Sequence, residues 1–250
     1  MYGKRLRGLA LTTFALMTLT LVAVFFWAPN DATEGFLQKI FYIHVPLAIV
    51  TLSGFIAGGV MAIMHLRTRD PRWDVRSYVA IHISLVFGVG VLITGSIWAK
   101  GAWGHWWVWD EPTLVSFLLV MLLYATYQPL RFAIEDPERQ ARAASVFAIT
   151  AGVFVPICFT IVRLSSAYVH PRTLDNLSGN LPGRMQAVFW LAILSVLLLW
   201  VLLWRYEMAS KHASAQLRTL RRLLSDDDED AGPVRRSAAP TMTSAGSATR

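Results

Sequence analysis

The chain has 250 residues, 55% of them hydrophobic and 16% charged, with a mean hydropathy of +0.46. This balance excludes an ordinary soluble domain and makes lipid the expected solvent. The net charge of +7 does not point to nucleic acid, because the basic residues stand in short clusters between apolar runs rather than on one polar surface.

Six apolar stretches are long enough for a hydrocarbon core about 30 Å thick. They are Leu9–Trp27, Phe41–Leu66, Ser77–Trp98, Pro112–Leu130, Ala144–Leu164 and Met185–Trp204. The expected fold is therefore all-α, a polytopic membrane protein with a transmembrane domain over 1–204 and a tail over 205–250. The first stretch follows Lys4, Arg5 and Arg7 but is too long for a signal peptide and lacks a small-residue cleavage site, so it reads as a retained helix. On the second, Gly54 and Gly58 form a GxxxG that helix packing accounts for.

Lys and Arg divide unequally between the two sides of this arrangement. One side holds Lys4, Arg5 and Arg7, then Arg67 to Arg76, then Arg131, Arg139 and Arg142, then Arg205 to Arg222. The other holds Lys39, Lys100, Arg163, Arg172 and Arg184. The asymmetry predicts cytoplasmic termini and three outer loops, near residues 28–40, 99–111 and 165–184. The tail passes from basic to acidic at Asp226–Asp230 and ends Ser/Ala/Thr/Pro-rich, a composition that predicts disorder beyond about Leu224.

The segment Trp98–Asp110 holds half of the chain's ten tryptophans. An aromatic belt accounts for Trp27, Trp98, Trp190, Trp200 and Trp204. Trp103, Trp106, Trp107 and Trp109 crowd one short loop, where four indoles are costly to solvate without a large flat apolar partner such as a porphyrin. Asp110, before Glu111 and Pro112, stands where an N-cap for the fourth span belongs and can also accept from an indole N–H. Of the six histidines, only His44, His105 and His170 can meet on the outer face, and haem iron takes imidazoles from opposite sides of its ring. Arg163, at the outer end of the fifth span, has two readings, a partner for a haem propionate or a cation snorkelling to headgroups. Cys158 is the sole cysteine, which rules out a CxxCH attachment site, so any haem bound here is held without thioether links, and haem b is the expected form.

The run Trp103-Gly104-His105-Trp106-Trp107-Val108-Trp109-Asp110 resembles the WWD signature of the haem-handling membrane proteins of cytochrome c maturation. With six spans and modest length, the chain is most similar there to the CcmC (haem exporter protein C) family. The resemblance covers roughly residues 9–204 and includes Phe41-Tyr42-Ile43-His44-Val45-Pro46 around the family's first external histidine, whereas Arg163–Pro171 departs from the Trp-containing context of many relatives. It implies axial ligation by His44 and His170, with His105 a weaker alternative, and contacts from the Trp loop and Asp110. It also implies a bacterial inner-membrane carrier, not an enzyme, that presents haem on the periplasmic side to the chaperone CcmE alongside CcmA, CcmB and CcmD. The competing readings are a haem lyase of the same superfamily and a small-solute permease. The topology is directly testable. A cysteine introduced at Ser166 is expected to react with an impermeant maleimide in intact cells and one at Thr68 not to react; the reverse pattern inverts the assignment.

Overall fold

The computed structural model describes residues 2–164, 169–170, 181 and 183–230. Helix α1 (Tyr2–Val22) closes on a π turn at Ala23–Trp27, and a 3-10 turn at Phe36–Ile40 leads into α2 (Phe41–Thr68). Then follow α3 (Pro71–Trp103), α4 (Pro112–Ala125), the short α5 (Tyr127–Phe132), α6 (Pro137–Leu164) and α7 (Gly183–Asp230). Among the described residues six segments are long and apolar enough to cross a membrane, α4 and α5 together making the fourth, in line with the six expected. Residues 1–208 form one packed unit, and a second begins at Ala209, whose described part is helical.

Local chemistry sets the helix ends. Arg69 takes a left-handed conformation (φ 55°) that closes α2, its N–H donating to the His65 carbonyl at 2.7 Å. One residue later Asp70 caps α3 by accepting from Arg72 N at 2.9 Å, with Pro71 at the first helical position. Helix α3 runs past Trp98 through Ala99, Lys100 and Ala102, all good helix formers, and stops only where Gly104 adopts φ 79°. Trp103 therefore belongs to a helix, not to the loop expected there. The same logic extends α7, since no glycine or proline falls between Gly183 and Gly232; the helix runs to Asp230, a few residues past the Leu224 at which the composition predicts disorder to begin.

Helix α2 is the centre of the bundle. A Cβ on Gly54 would collide with Ser84 Oγ, and one on Gly58 would lie 2.7 Å from Ile81 Cγ1, so the GxxxG faces α3. Gly59 turns to α6, where its Cβ would lie 3.1 Å from the Ala148 carbonyl and 3.4 Å from Gly152 Cα. Apolar side chains gain nothing by leaving lipid for each other, so close packing and hydrogen bonds must hold such helices together. Trp200 Nε1 donates to Ser84 Oγ (3.1 Å), His65 Nδ1 pairs with Ser145 Oγ (2.8 Å), and the Thr20 and Ser195 hydroxyls meet at 2.6 Å.

Two polar side-chain pairs join helices through residues nearer the start of α3 than its Trp-bearing end. Arg131 makes a two-pronged contact with Asp74 at 2.7 and 2.5 Å, both side chains nearly buried, and its guanidinium sits 5.1 Å from the Tyr78 ring centre. Arg131 thus joins α5 to α3 rather than acting as a free surface charge. His82 Nδ1 and Glu207 are 2.9 Å apart, tying α3 to α7. Removing one partner of a buried pair leaves an uncompensated charge, at a cost of about 3–5 kcal/mol. Asp74→Ala is expected to lower the thermal midpoint in detergent more than the double variant Asp74→Ala/Arg131→Met does. Equal losses would show that the pair is not coupled.

Candidate functional site

A cavity of about 480 Å3 opens between α2, α3, α4 and α6 at the end that carries the Trp loop. That volume falls in the usual range for small-molecule pockets, and the walls are largely apolar. His44, Trp103, Trp107 and His170 all line it. Trp106 and Trp109 do not; they are 59% and 71% exposed. His105 and Asp110 are exposed and off the cavity as well.

Helix α3 determines how His44 is held. Gly95 has no Cβ, and one built there would lie 2.8 Å from His44 Cε1, so the imidazole rests directly on the α3 backbone. The Thr94 hydroxyl donates to the Gly90 carbonyl at 2.8 Å and so faces His44 Nδ1, 3.1 Å away, as an acceptor. A proton on Nδ1 satisfies that contact and leaves the Nε2 lone pair free, the tautomer a metal-binding imidazole needs. Neither Thr94 nor Gly95 is recognisable from sequence, because both are ordinary packing residues on a membrane helix.

His170 is approached from two sides. The Trp103 ring meets its imidazole edge-on, with centroids 6.3 Å apart, and Trp98 meets Trp103 edge-on at 4.9 Å. Its backbone N–H donates to Glu111 Oε2 at 3.1 Å, and that of Val169 donates to the same oxygen at 2.8 Å. Glu111, not Asp110, is the N-cap of α4, accepting from Thr113 N at 3.3 Å. The cap falls one residue later than expected because Pro112 occupies the first helical position. Burial pushes the Glu111 carboxyl up, but the N–H groups of Val169, His170 and Thr113 outweigh it and hold the group below its ordinary value.

The first loop closes the remaining side with polar groups that composition did not reveal. Lys39 is buried and donates to the carbonyls of Ala28 (2.5 Å) and Pro29 (3.4 Å), pinning the loop to the start of α2. Asp31 accepts from Thr33 N (2.8 Å) and Glu34 N (3.0 Å) in a tight turn completed by Gly35 at φ 57°. These two bonds, from Glu34 and Thr33, hold its carboxyl below the usual range. Asp31, Glu34 and Gln38 reach the cavity wall. The Asp-x-x-x-Gly spacing at 31–35 was the available sign of that turn.

The residue types that line the cavity suit a flat apolar tetrapyrrole. Two imidazoles and two indoles face one apolar space, and Trp107 Nε1 is buried without a hydrogen-bond partner among the described residues. Among the described residues no group of three or more His, Cys, Asp or Glu side chains is placed to hold a bare metal ion. Cys158 also lines the space. Arg163 lies in the last turn of α6, next to the cavity-lining Val162, and its side chain is outside the described residues, as is Arg172.

Fold and site together define a multi-pass membrane protein with an aromatic, histidine-bearing pocket at one end of the bundle. A profile of the family described as heme exporter protein C matches residues 1–223. The chain belongs to the heme exporter protein C family, and so to the haem-transport machinery of cytochrome c maturation. It is 36% identical over 186 residues to the heme exporter protein C of Bradyrhizobium diazoefficiens, covering 70% of this chain and 69% of that one. To the Haemophilus influenzae protein of that name it is 29% identical over 212 residues, covering 82% and 86%. To that of Escherichia coli K12 it is 32% identical over 149 residues, covering 60% of each.

The division of the loop indoles can be measured without ligand. Replacing Trp106 and Trp109 by Phe is expected to remove most of the loop's iodide-quenchable fluorescence in detergent, and replacing Trp103 and Trp107 to remove little. Equal quenching losses would contradict the division.

Proposed function

We propose that this protein holds haem non-covalently in the cavity, with His44 and His170 as axial ligands, and presents it for transfer to the haem chaperone CcmE. The observation that carries the reading is the convergence of these two imidazoles with Trp103 and Trp107 on one apolar space. Haem is cargo here, and its iron supplies the two axial positions that neutral imidazoles satisfy. His44 is prepared for this by Thr94, which holds the proton on Nδ1, and by Gly95, which gives the ring room. Trp103 and Trp107 supply aromatic area for the ring, and the Nε1–H of Trp107, without a partner among the described residues, is a donor for an acceptor on the ligand. Trp106 and Trp109, exposed on the same loop, suit contact with the ligand's open edge or with the receiving chaperone. Arg163 remains the candidate partner for a propionate.

The charge asymmetry of the loops supports placement in a bacterial inner membrane with the cavity on the periplasmic side. CcmA, CcmB and CcmD are the expected companions. The role is that of a carrier that holds haem without thioether links, since a CxxCH attachment site needs two thiols and the chain has one. Carriage also asks that the site release its cargo, and one ligand on a helix with the other outside the helices suits that need.

The test is the visible spectrum of the detergent-purified protein loaded with haem. The wild type is expected to give a six-coordinate, low-spin spectrum. His44→Ala or His170→Ala should shift the Soret maximum and weaken binding at least tenfold, and the double variant should not retain haem. Gly95→Leu should resemble His44→Ala, while His82→Ala should keep the wild-type spectrum at lower stability. A low-spin spectrum that survives in the double variant assigns the iron to other ligands, and a protein that cannot be loaded favours a permease.

A further inference from the structure

We propose that Glu111 is the positioning residue for the second axial ligand, its carboxylate holding the His170 backbone in place from the N-cap of α4. The inference rests on the haem-carrier reading and adds to it a residue that touches neither ring nor iron.

Capping α4 requires only one acceptor for one N–H, and Glu111 Oε1 fills that role on Thr113 N. A shorter side chain would cap equally well. The second oxygen does something a cap does not require, since Oε2 accepts from Val169 N at 2.8 Å and from His170 N at 3.1 Å, 58 and 59 residues further along the chain. The carboxylate is 0% exposed, so water cannot replace these bonds when they are lost. Its charge is met by backbone dipoles, the N-terminus of α4 and the two N–H groups. His170 is then fixed at two points, its backbone by Glu111 and its ring edge by Trp103. Those anchors come from the two helices that flank the Trp loop, α3 and α4. The loop and the second ligand are thereby set by the same pair of helix ends.

The arrangement makes different demands on different substitutes. Glutamine can turn its amide oxygen toward Val169 and His170 and keep both bonds while giving up the one from Thr113 N. Alanine can keep neither. Val169→Pro leaves Glu111 and both histidines intact and deletes one of the two donors.

The full-length protein in detergent, loaded with haem, is compared as wild type, Glu111→Ala, Glu111→Gln and Val169→Pro. Glu111→Ala is expected to pass largely to a five-coordinate, high-spin spectrum with haem affinity reduced roughly tenfold. Millimolar imidazole should return it to the low-spin form, as it should for His170→Ala. Glu111→Gln should stay low-spin, and Val169→Pro should follow the alanine variant. Alongside, hydrogen exchange of the Val169–His170 amides in haem-free protein should accelerate at least tenfold in Glu111→Ala and little in Glu111→Gln. A low-spin, wild-type spectrum in Glu111→Ala with wild-type exchange overturns the proposal. If Glu111→Ala does not insert, a wild-type spectrum and unchanged His170 exchange in Val169→Pro overturn it instead. A wild type that shows no low-spin haem refutes the carrier reading, and the exchange arm then decides alone whether Glu111 holds this segment.

Discussion

The arrangement depends on how closely α2 approaches α3 and α6. Lipid gives two apolar helices no reason to prefer each other over hydrocarbon, so association must come from van der Waals contact at short range and from a few polar bonds. Gly54 and Gly58 on one face and Gly59 on another let α2 press against both neighbours without a side chain between. The cavity draws on residues 41–52 of the same helix, where side chains face the open space. A single helix thus supplies both the tight seam and one wall of the pocket. His44 is displayed from a rigid element because its own helix is clamped a few turns away.

Polar contacts within the bundle are placed where they join elements rather than scattered. Arg131 with Asp74, His82 with Glu207, Trp200 with Ser84 and His65 with Ser145 each bridge two helices. Every one satisfies a group that lipid could not. The cavity end uses backbone groups more heavily. Lys39 is neutralised by carbonyls, Glu111 by amides, and Asp31 by the N–H groups of its own turn. Backbone groups cannot move without their segment, so these contacts shape the loops around the pocket.

The membrane class and the six spans were legible in the sequence because hydropathy over about 20 residues is a strong signal. The family was legible from the Trp run and its neighbouring histidines. Element ends were harder. The apolar run of the third span fades at Trp98, yet helix propensity carries α3 to Trp103, which moves that indole from loop to helix face. Within the loop proper no periodicity indicates which indoles turn inward, so Trp107 could not be told from Trp106 or Trp109. Asp110 looked like the cap because it is the commoner capping residue, but the proline behind Glu111 decides the position. Glu111's long reach to Val169 and His170, and the service of Thr94 and Gly95 to His44, are tertiary facts with no local signature. Arg131 counted as a charge on one side of the membrane, and only its pairing with Asp74 shows it turned inward.

The position of Cys158 has a practical corollary. It is the chain's only thiol, it lines the cavity, and it is 7% exposed. A reagent small enough to enter the pocket meets one sulfur and no other, and whatever fills the pocket stands between them. A thiol so placed is shielded further by whatever occupies the pocket, so its accessibility depends on occupancy.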